Sequence, residues 1–516
     1  MGESAATSAG TAGRARDDAG ALRFGDSSPA QGTVWVKGEG AAAGLLASAG
    51  CRRLPERGRP DASDVVICVG ESGCGQMETS SRAAHLGASD AVAAAAAGRA
   101  GAWRWNASAA AIEALPRGEL DRRLGREGLR SAIETGDAGG GTGWRLARGS
   151  AASGRQMNQY AVTVFGMEAP VIRPDPGEHI GARELARRLA RASARALYAL
   201  GLELGTVTWQ VDRSGRRGVI VGLTPSIGGL DEAGSRRLAS AVSAFAARWR
   251  EEAGGGAAEA RLGADPEFVM LTASGRIVPA SRYFGRDEAA GCDSVVVRGV
   301  QRWPLAELRP RPSREPAVLA QRIRLLLQDA AGRTAGAGLR WRAGAAPVRG
   351  LPLGGHLHFS GVALTAQRLR ALDNVLALPL RLLEPPGAGR RRPRYGALGD
   401  CRPKPHGGFE YRTPPSWLVS PRLALGTLSL AKLAAEHARE LAACRPLDDD
   451  AQRDAYYDEG DPAPLRAAAA AVRAALEALP AYSRYRDAVA PLFDDIARGR
   501  VWDESVDIRR RWRIPE

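Results

Sequence analysis

The sequence predicts an α+β protein of two or three domains. Three observations carry this. The chain has 516 residues, more than one ordinary core accommodates. Short strand-like runs alternate with amphipathic helical stretches along its length. And the segment 251–260, EEAGGGAAEA, has the composition of a linker.

Taken in order, residues 1–20 are Gly, Ala, Ser and charge, and are expected to form a disordered tail. Residues 21–250 are expected to form an α/β domain. Thr33-Val34-Trp35-Val36 and Val65-Val66-Ile67-Cys68-Val69 read as strands, and 107–133 has helical spacing. A Gly-rich break spans 136–143. Tyr160–Phe165 alternates as a strand, and the apolar spacing of Ala182–Leu200 predicts a helix ending at Gly201. Strands are expected at Thr206–Val211 and Gly218–Leu223, and a helix at Ser235–Arg250. Beyond the linker, 261–445 is expected to form a further domain and 446–516 its helical extension. Helices are expected at Arg314–Leu327, Ala366–Leu383, Arg422–Leu441 and within 463–498.

Apolar residues make up 44% and charged residues 25%, the balance of a soluble globular protein. The net charge of +15 comes almost wholly from Arg, since Lys37, Lys404 and Lys432 are the lysines. The arginines are scattered and form no aromatic-interleaved stripe, so no nucleic-acid partner is expected. Six dispersed cysteines without C-x-x-C or zinc spacing read as reduced thiols. No apolar run reaches the length of a membrane span and the first twenty residues lack a signal-peptide core, so no membrane partner and a cytoplasmic location are expected.

Four segments present polar pairs at strand spacing, where residues two apart share a face. They are Asp265/Glu267, Glu307/Arg309, His356/His358 (after Gly354-Gly355) and Glu410/Arg412. Alone, each pair has an ordinary reading as a solvated face or a surface ion pair. Converging carboxylates are costly to desolvate, and a divalent cation resolves that cost. The two glycines are expected to let the backbone approach a ligand closely. Arg390-Arg391-Arg392-Pro393-Arg394-Tyr395, with Arg402 and Lys404, adds guanidinium forks suited to phosphate. If the strands lie side by side, the pairs line one face equipped for phosphoryl transfer.

These motifs resemble the amidoligases of the glutamine synthetase and glutamate–cysteine ligase superfamily, in particular the phage-associated COOH–NH₂ ligase type 2. The resemblance rests on LGADPEF (262–268), ELRP (307–310), GGHLHF (354–359) and RRPRYGALGDCRPKPHGGFEYRTPPSWLVSP (391–421). Cys292-Asp293-Ser294 stands where a Gly-Asp-Gly-like turn is expected, and Ser294 departs from it. The resemblance implies a glutamine-synthetase-like antiparallel sheet with flanking helices. It implies ATP and Mg²⁺ as cofactors, with Asp265, Glu267, Glu307, His356 and Glu410 as metal ligands. Arg391, Arg394, Arg402 and Arg412 would neutralise the transferring phosphoryl group, His358 would orient substrate or ligand groups, and Arg309, Lys404 and Tyr395 would contact the nucleotide. The implied product is an amide or peptide bond, formed through an acyl phosphate between small-molecule or peptide carboxylate and amine substrates. A homo-oligomer stays open. So do two other readings, a non-catalytic binding or assembly protein that keeps the ligase fold, and a basic nucleic-acid binder.

In the N-terminal half, Asp64–Ser72, Trp105–Ser108, Leu197–Gly205 and Val221–Pro225 resemble an ATP-grasp-like module. The last strand, Gly218–Pro225, lacks the acid and Asn that would hold metal there, so the resemblance implies a degenerate domain with Glu203 and Asp212 as its surviving carboxylates.

Overall fold

Three sheets organise the chain. The structure, a computed structural model, describes residues 31–56, 58–70, 102–133, 157–255, 258–297, 299–405 and 407–515. The expected tail 1–20, the Gly-rich break 136–143, Glu71, Ser72 and His406 lie outside the described residues.

The first sheet is parallel, in the order β2 (Arg52–Arg53), β1 (Val34–Lys37), β3 (Val65–Cys68), β4 (Trp103–Trp105). The run VVIC in β3 is buried throughout, as expected of a parallel strand covered on both faces. Two short helices follow, α2 (Ala109–Glu113) and α3 (Arg117–Arg126), after α1 (Gly40–Ser48). Pro116 separates them, which is why the helical spacing over 107–133 does not give one helix.

The second sheet is antiparallel, β6 (Glu168–Arg173), β5 (Met157–Phe165), β7 (Leu204–Asp212), β8 (Gly218–Thr224). Helix α4 (Ile180–Ala199) joins its two hairpins, and α5 (Glu232–Gly254) follows it. Trp103, Trp105, Phe165, Phe245 and Trp249 form a chain of aromatic contacts between the two sheets and α5. The stretch read as a linker therefore begins inside α5, where Glu and Ala favour helix. It ends at Ala260, a buried residue whose N–H donates to Glu436 and whose carbonyl accepts from Lys432 Nζ at 2.7 Å.

The third sheet has eight antiparallel strands. Its main path is β11 (Ala290–Val297), β12 (Val300–Leu308), β9 (Arg261–Leu271), β14 (Gly355–Ser360), β16 (Phe409–Tyr411), β15 (Cys401–Pro403), with β10 (Ile277–Val278) and β13 (Arg340–Arg342) also pairing with β9. One face packs on helix α6 (Pro316–Arg333), which in turn packs on α9 (Pro421–Glu436), capped by Ser420 Oγ, which accepts from Leu423 N–H. The helix expected at 366–383 is α7 (Ala366–Leu372), a π turn (Asp373–Ala377) and α8 (Leu378–Leu383). The C-terminal helices are α10 (Asp450–Tyr457), α11 (Ala463–Glu477) and α12 (Tyr482–Ala497). The five cysteines among the described residues are buried and form no disulfide. No helix among the described residues is long and apolar enough to cross a membrane.

Residues from Gln31 onward form one compact unit, and its largest apolar cluster runs from Ile112 to Ile514 through both halves. Buried polar contacts add to that junction. Arg453 Nε of α10 donates to Glu127 Oε1 at 2.7 Å, with both side chains almost fully buried. Arg126 Nη1 reaches Asp450 and Asp454 at 2.8 and 2.7 Å.

Candidate active site

Register on the eight-stranded sheet sets the site. On β9, Phe268 and Met270 turn into the main core while Asp265 and Glu267 turn away from it. On β14 the buried Leu357 and Phe359 alternate with the half-buried His356 and His358. Cα pairing sets Asp265 opposite His356, Glu267 opposite Glu307, and Glu410 opposite both His358 and Arg402. The four polar pairs thus face one side.

Two ligand-like clusters result. Asp265, His356 and Glu410 form one, and Glu267, Asp293 and Glu307 the other, and within each cluster the nearest ligand atoms lie within 4.8 Å of one another. Four strands and β16 are enough to build both. The donor set is five carboxylates and one imidazole, the hard-oxygen chemistry that Mg²⁺ prefers.

The electrostatics fit a cation-binding face. Burial drives the Glu267 carboxyl up to about 7. Burial, with Asp265 nearby, drives Glu307 up to about 8, although Arg309 pairs with it. Asp265 behaves oppositely. Burial pushes it up, but contacts from His356 and His358 outweigh that and hold it well below the usual carboxylate range. His358 Nε2 stands 2.9 Å from Asp265 Oδ2. His356 Nδ1 is 3.2 Å from Asp265 Oδ1 and 3.8 Å from Glu410 Oε1. The first of these lacks hydrogen-bond direction, which leaves Asp265 Oδ1 buried without a hydrogen-bond partner. For His356, burial works against the charged ring, and Asp265 more than compensates, so its pKa is raised.

Glu410 is ringed by cations. Lys404 Nζ donates to Oε2 at 2.5 Å, Arg402 Nη1 to the same oxygen at 3.3 Å, and Arg412 Nε lies 3.2 Å from Oε1. Burial raises the Glu410 pKa, but Lys404 and the neighbouring cations lower it on balance.

The other sequence candidates fall differently. Arg309 pairs with Glu307 and donates to the Glu288 carbonyl at 3.0 Å. Arg391 is buried, 3.7 Å from Glu384 Oε1, with Nε and Nη1 lacking hydrogen-bond partners. Its neighbour Arg392 takes Glu384 in a bidentate pair at 2.6 and 2.8 Å. Arg394 and Tyr395 are exposed and lie against each other at 5.4 Å, with no hydrogen bond or ion pair to either cluster. Gly354 and Gly355 allow close approach, but of the protein to itself. Gly354 N–H donates to Glu267 Oε2 at 2.7 Å, and a Cβ on Gly355 would sit 2.2 Å from the Pro415 carbonyl. In the N-terminal half, the two carboxylates expected to survive hold structure. Glu203 is buried and accepts from Asn106 N–H at 2.8 Å and Gln367 Nε2 at 3.1 Å, and Asp212 caps the β7–β8 turn through Ser214 and Arg216. Asp293 was absent from the expected ligands. A β-bulge between Asp293 and Val295 breaks the alternation there, so parity alone does not mark it; the departure at Cys292-Asp293-Ser294 was its one sequence signal.

The mixed sheet-and-helix domain thus carries two carboxylate clusters on one sheet face, with Arg402, Lys404 and Arg412 beside Glu410. Residues 262–514 match the family model of the phage phiEco32-like COOH–NH₂ ligase type 2. No curated protein matches the chain. Among solved structures, a bifunctional glutathione synthetase from Pasteurella multocida aligns at 12% identity and a TM-score of 0.27, over 50% of this chain and 51% of that one. The chain therefore spans about half the length of that enzyme. Ligand-free GmaS aligns at 14% identity and a TM-score of 0.29, over 68% and 96% of the two chains. A glutamine synthase homolog aligns at 18% identity and a TM-score of 0.24, over 53% and 80%.

Proposed function

We propose that the chain is an ATP- and Mg²⁺-dependent ligase that joins a carboxylate to an amine through an acyl phosphate. The observation that carries this reading is the pair of adjacent clusters, Asp265/His356/Glu410 and Glu267/Asp293/Glu307, on one sheet face of a domain that matches a ligase family. Their fit to divalent cations rests on Asp265 Oδ1, buried without a hydrogen-bond partner, and on Glu267 and Glu307, whose carboxyls burial pushes up to about 7 and about 8. Bound Mg²⁺ would neutralise phosphate charge.

The chain's own residues then have distinct tasks. His358 fixes Asp265 through its 2.9 Å contact and so orients a ligand oxygen. Arg402, Lys404 and Arg412 supply positive charge beside Glu410, where charge builds on a transferring phosphoryl group. In the reaction, a substrate carboxylate oxygen attacks the γ-phosphorus of ATP and ADP leaves. The amine then attacks the acyl carbon, phosphate leaves, and the nitrogen gives up a proton. Substrates are small-molecule or peptide carboxylates and amines, and the enzyme acts in the cytoplasm. For the N-terminal half we keep the ATP-grasp-like, degenerate reading, supported by the structural tasks of Glu203 and Asp212.

The test is Mg²⁺-dependent ATP turnover by purified protein across pairs of carboxylates and amines, with Glu267→Ala and Glu410→Ala as controls. Turnover lost in both variants supports the ligase. Wild-type protein that neither binds Mg·ATP nor differs from the variants favours a non-catalytic binding protein.

A further inference from the structure

Three hydrogen bonds hold Glu267, and two loops make them. Gly354 N–H donates to Glu267 Oε2 at 2.7 Å, and Glu267 N–H donates to the Gly354 carbonyl at 2.9 Å. Ser416 Oγ donates to the Glu267 carbonyl at 2.5 Å. Which way the carboxyl turns is therefore set by where Gly354 and Ser416 sit. Gly354 ends the loop 343–354, which joins β13 to β14, both of which pair with β9. Ser416 lies in the loop 412–420, which joins β16 to α9. The two are tied together. Gly355 N–H donates to the Pro414 carbonyl at 3.1 Å, and Ser416 N–H to the Leu353 carbonyl at 3.2 Å.

The first loop lies on the face that carries the clusters. Its Val348, Leu351 and Leu353 pack with Val269, Leu271 and Leu305, and alternation puts Val269 on the side of Glu267 and Leu305 on the side of Glu307. Residues beyond α12 brace both loops from outside. The Glu504 carboxylate accepts from Ala345 N–H, from Ala346 N–H at 3.2 Å and from Trp502 Nε1 at 2.9 Å. Gly344 makes room for it, with φ at +131° and a Cβ position only 2.3 Å from Glu504 Oε1. From Ala345 the path to the ligand is short, since its carbonyl accepts from Leu353 N–H at 3.1 Å, one residue before Gly354. In the short helix Ile508–Trp512, Trp512 Nε1 donates to the Leu418 carbonyl at 2.7 Å and so steadies the second loop.

We propose that Glu504 is a positioning residue for the Glu267/Asp293/Glu307 cluster, because by holding Ala345 and Ala346 it fixes the loop whose last residue, Gly354, orients the Glu267 carboxyl. Glu504 itself touches neither cation nor substrate. Partners outside a ligand set tune metal affinity by fixing how the ligands point. The proposal rests on the ligase reading, since it presupposes the two cation clusters, and it extends the site to the C-terminal segment.

The experiment titrates the metal-free full chain with Mg²⁺ by calorimetry and records the melting temperature alongside. Wild type is expected to bind two cations. Glu504→Ala should weaken one of them about 10–100-fold, the loss typical when a ligand's outer partner is removed, and leave the other at wild-type affinity. Glu504→Gln keeps an oxygen to accept from the loop and should recover part of the loss. Val472→Ala, a core truncation in α11, should lower the melting temperature and leave both affinities unchanged. Unchanged affinity for both cations in Glu504→Ala overturns the proposal and leaves the ligase intact. Equal weakening of both overturns it too, since the variant then acts through the fold as a whole. If Glu504→Ala does not fold, Glu504→Gln decides alone, and two wild-type affinities there overturn the proposal. Wild-type protein that binds fewer than two cations overturns the paired clusters on which both readings rest.

Discussion

Tyr411, the residue after the candidate ligand Glu410, donates its hydroxyl to Asp373 Oδ1 at 2.6 Å. Asp373 opens a π turn, is buried, and also accepts from Tyr198 Oη and from Gly399 N–H at 3.1 Å. A single carboxylate thus gathers α4, the approach to β15 and the strand bearing Glu410. Buried polar networks of this kind fix a unique arrangement when every member is satisfied.

That network has a pH signature. Burial raises Asp373 to about 6, against the hydrogen bonds that lower it. A carboxyl raised above its unfolded value favours the folded state while protonated, and that advantage is lost as pH rises from about 4 through about 6. Asp373→Ala, which strands two buried hydroxyls, is expected to cost about 3 kcal/mol or more in urea denaturation. A loss under about 1 kcal/mol would mean that the network is not structural.

Metal binding should be proton-linked. Glu267 and Glu307, near 7 and 8 in the free protein, must ionise to act as ligands. Mg²⁺ affinity is expected to climb as pH rises from about 6 to about 8 and to level off above, with protons released at pH 7. Titrations in buffers of different ionisation enthalpy measure that release directly. A flat affinity over this range rules the linkage out.

Glu307→Gln separates stability from binding. The raised pKa of Glu307 means that its ionisation opposes folding more strongly as pH rises from about 4.5 to about 8. At pH 8 and without metal, the variant should be more stable than wild type by roughly 1–2 kcal/mol, the loss of the Arg309 pair being small at that half-exposed side chain. Its melting temperature should rise less than that of wild type on adding Mg²⁺, since the Asp265/His356/Glu410 cluster is untouched. Destabilisation of the metal-free variant at pH 8 contradicts the argument.

The two histidines should differ in degree. His356 belongs to a ligand cluster, whereas His358 acts through Asp265. His358→Ala is expected to weaken Mg²⁺ binding about 10–100-fold while keeping the stoichiometry. His356→Ala should remove one bound cation. Equal and complete loss in both would make His358 a ligand itself.

One buried pair contributes to the junction of the halves. Glu127→Ala leaves the Arg453 guanidinium without its carboxylate in a dry environment, and should cost about 3–5 kcal/mol. Replacing both residues with apolar ones of similar size should restore most of that. A cost near zero for the single variant would show that water reaches Arg453.

Much of the site was legible because strand alternation is local. Asp265/Glu267 and His356/His358 announce their common face within three residues, and no distant contact is needed to read it. Helix positions were legible for the same reason, with errors where a proline or a π turn interrupts the spacing, as at Pro116 and Asp373. Asp293 was obscured by the bulge that follows it. In the run Arg390-Arg391-Arg392, no pattern could reveal that Arg392 would take Glu384 and leave Arg391 short of partners.

Lysine scarcity gives the Lys404–Glu410 contact a practical use. Of the chain's three lysines, Lys432 is buried, and Lys404 stands at the mouth of the candidate site with its amine 2.5 Å from a carboxylate. An amine-reactive dye therefore has few places to go, and its rate of attachment at Lys404 is a readout of occupancy. Peptide mapping of the labelled chain, with and without candidate compounds, turns that one side chain into an assay that requires no knowledge of what the enzyme joins.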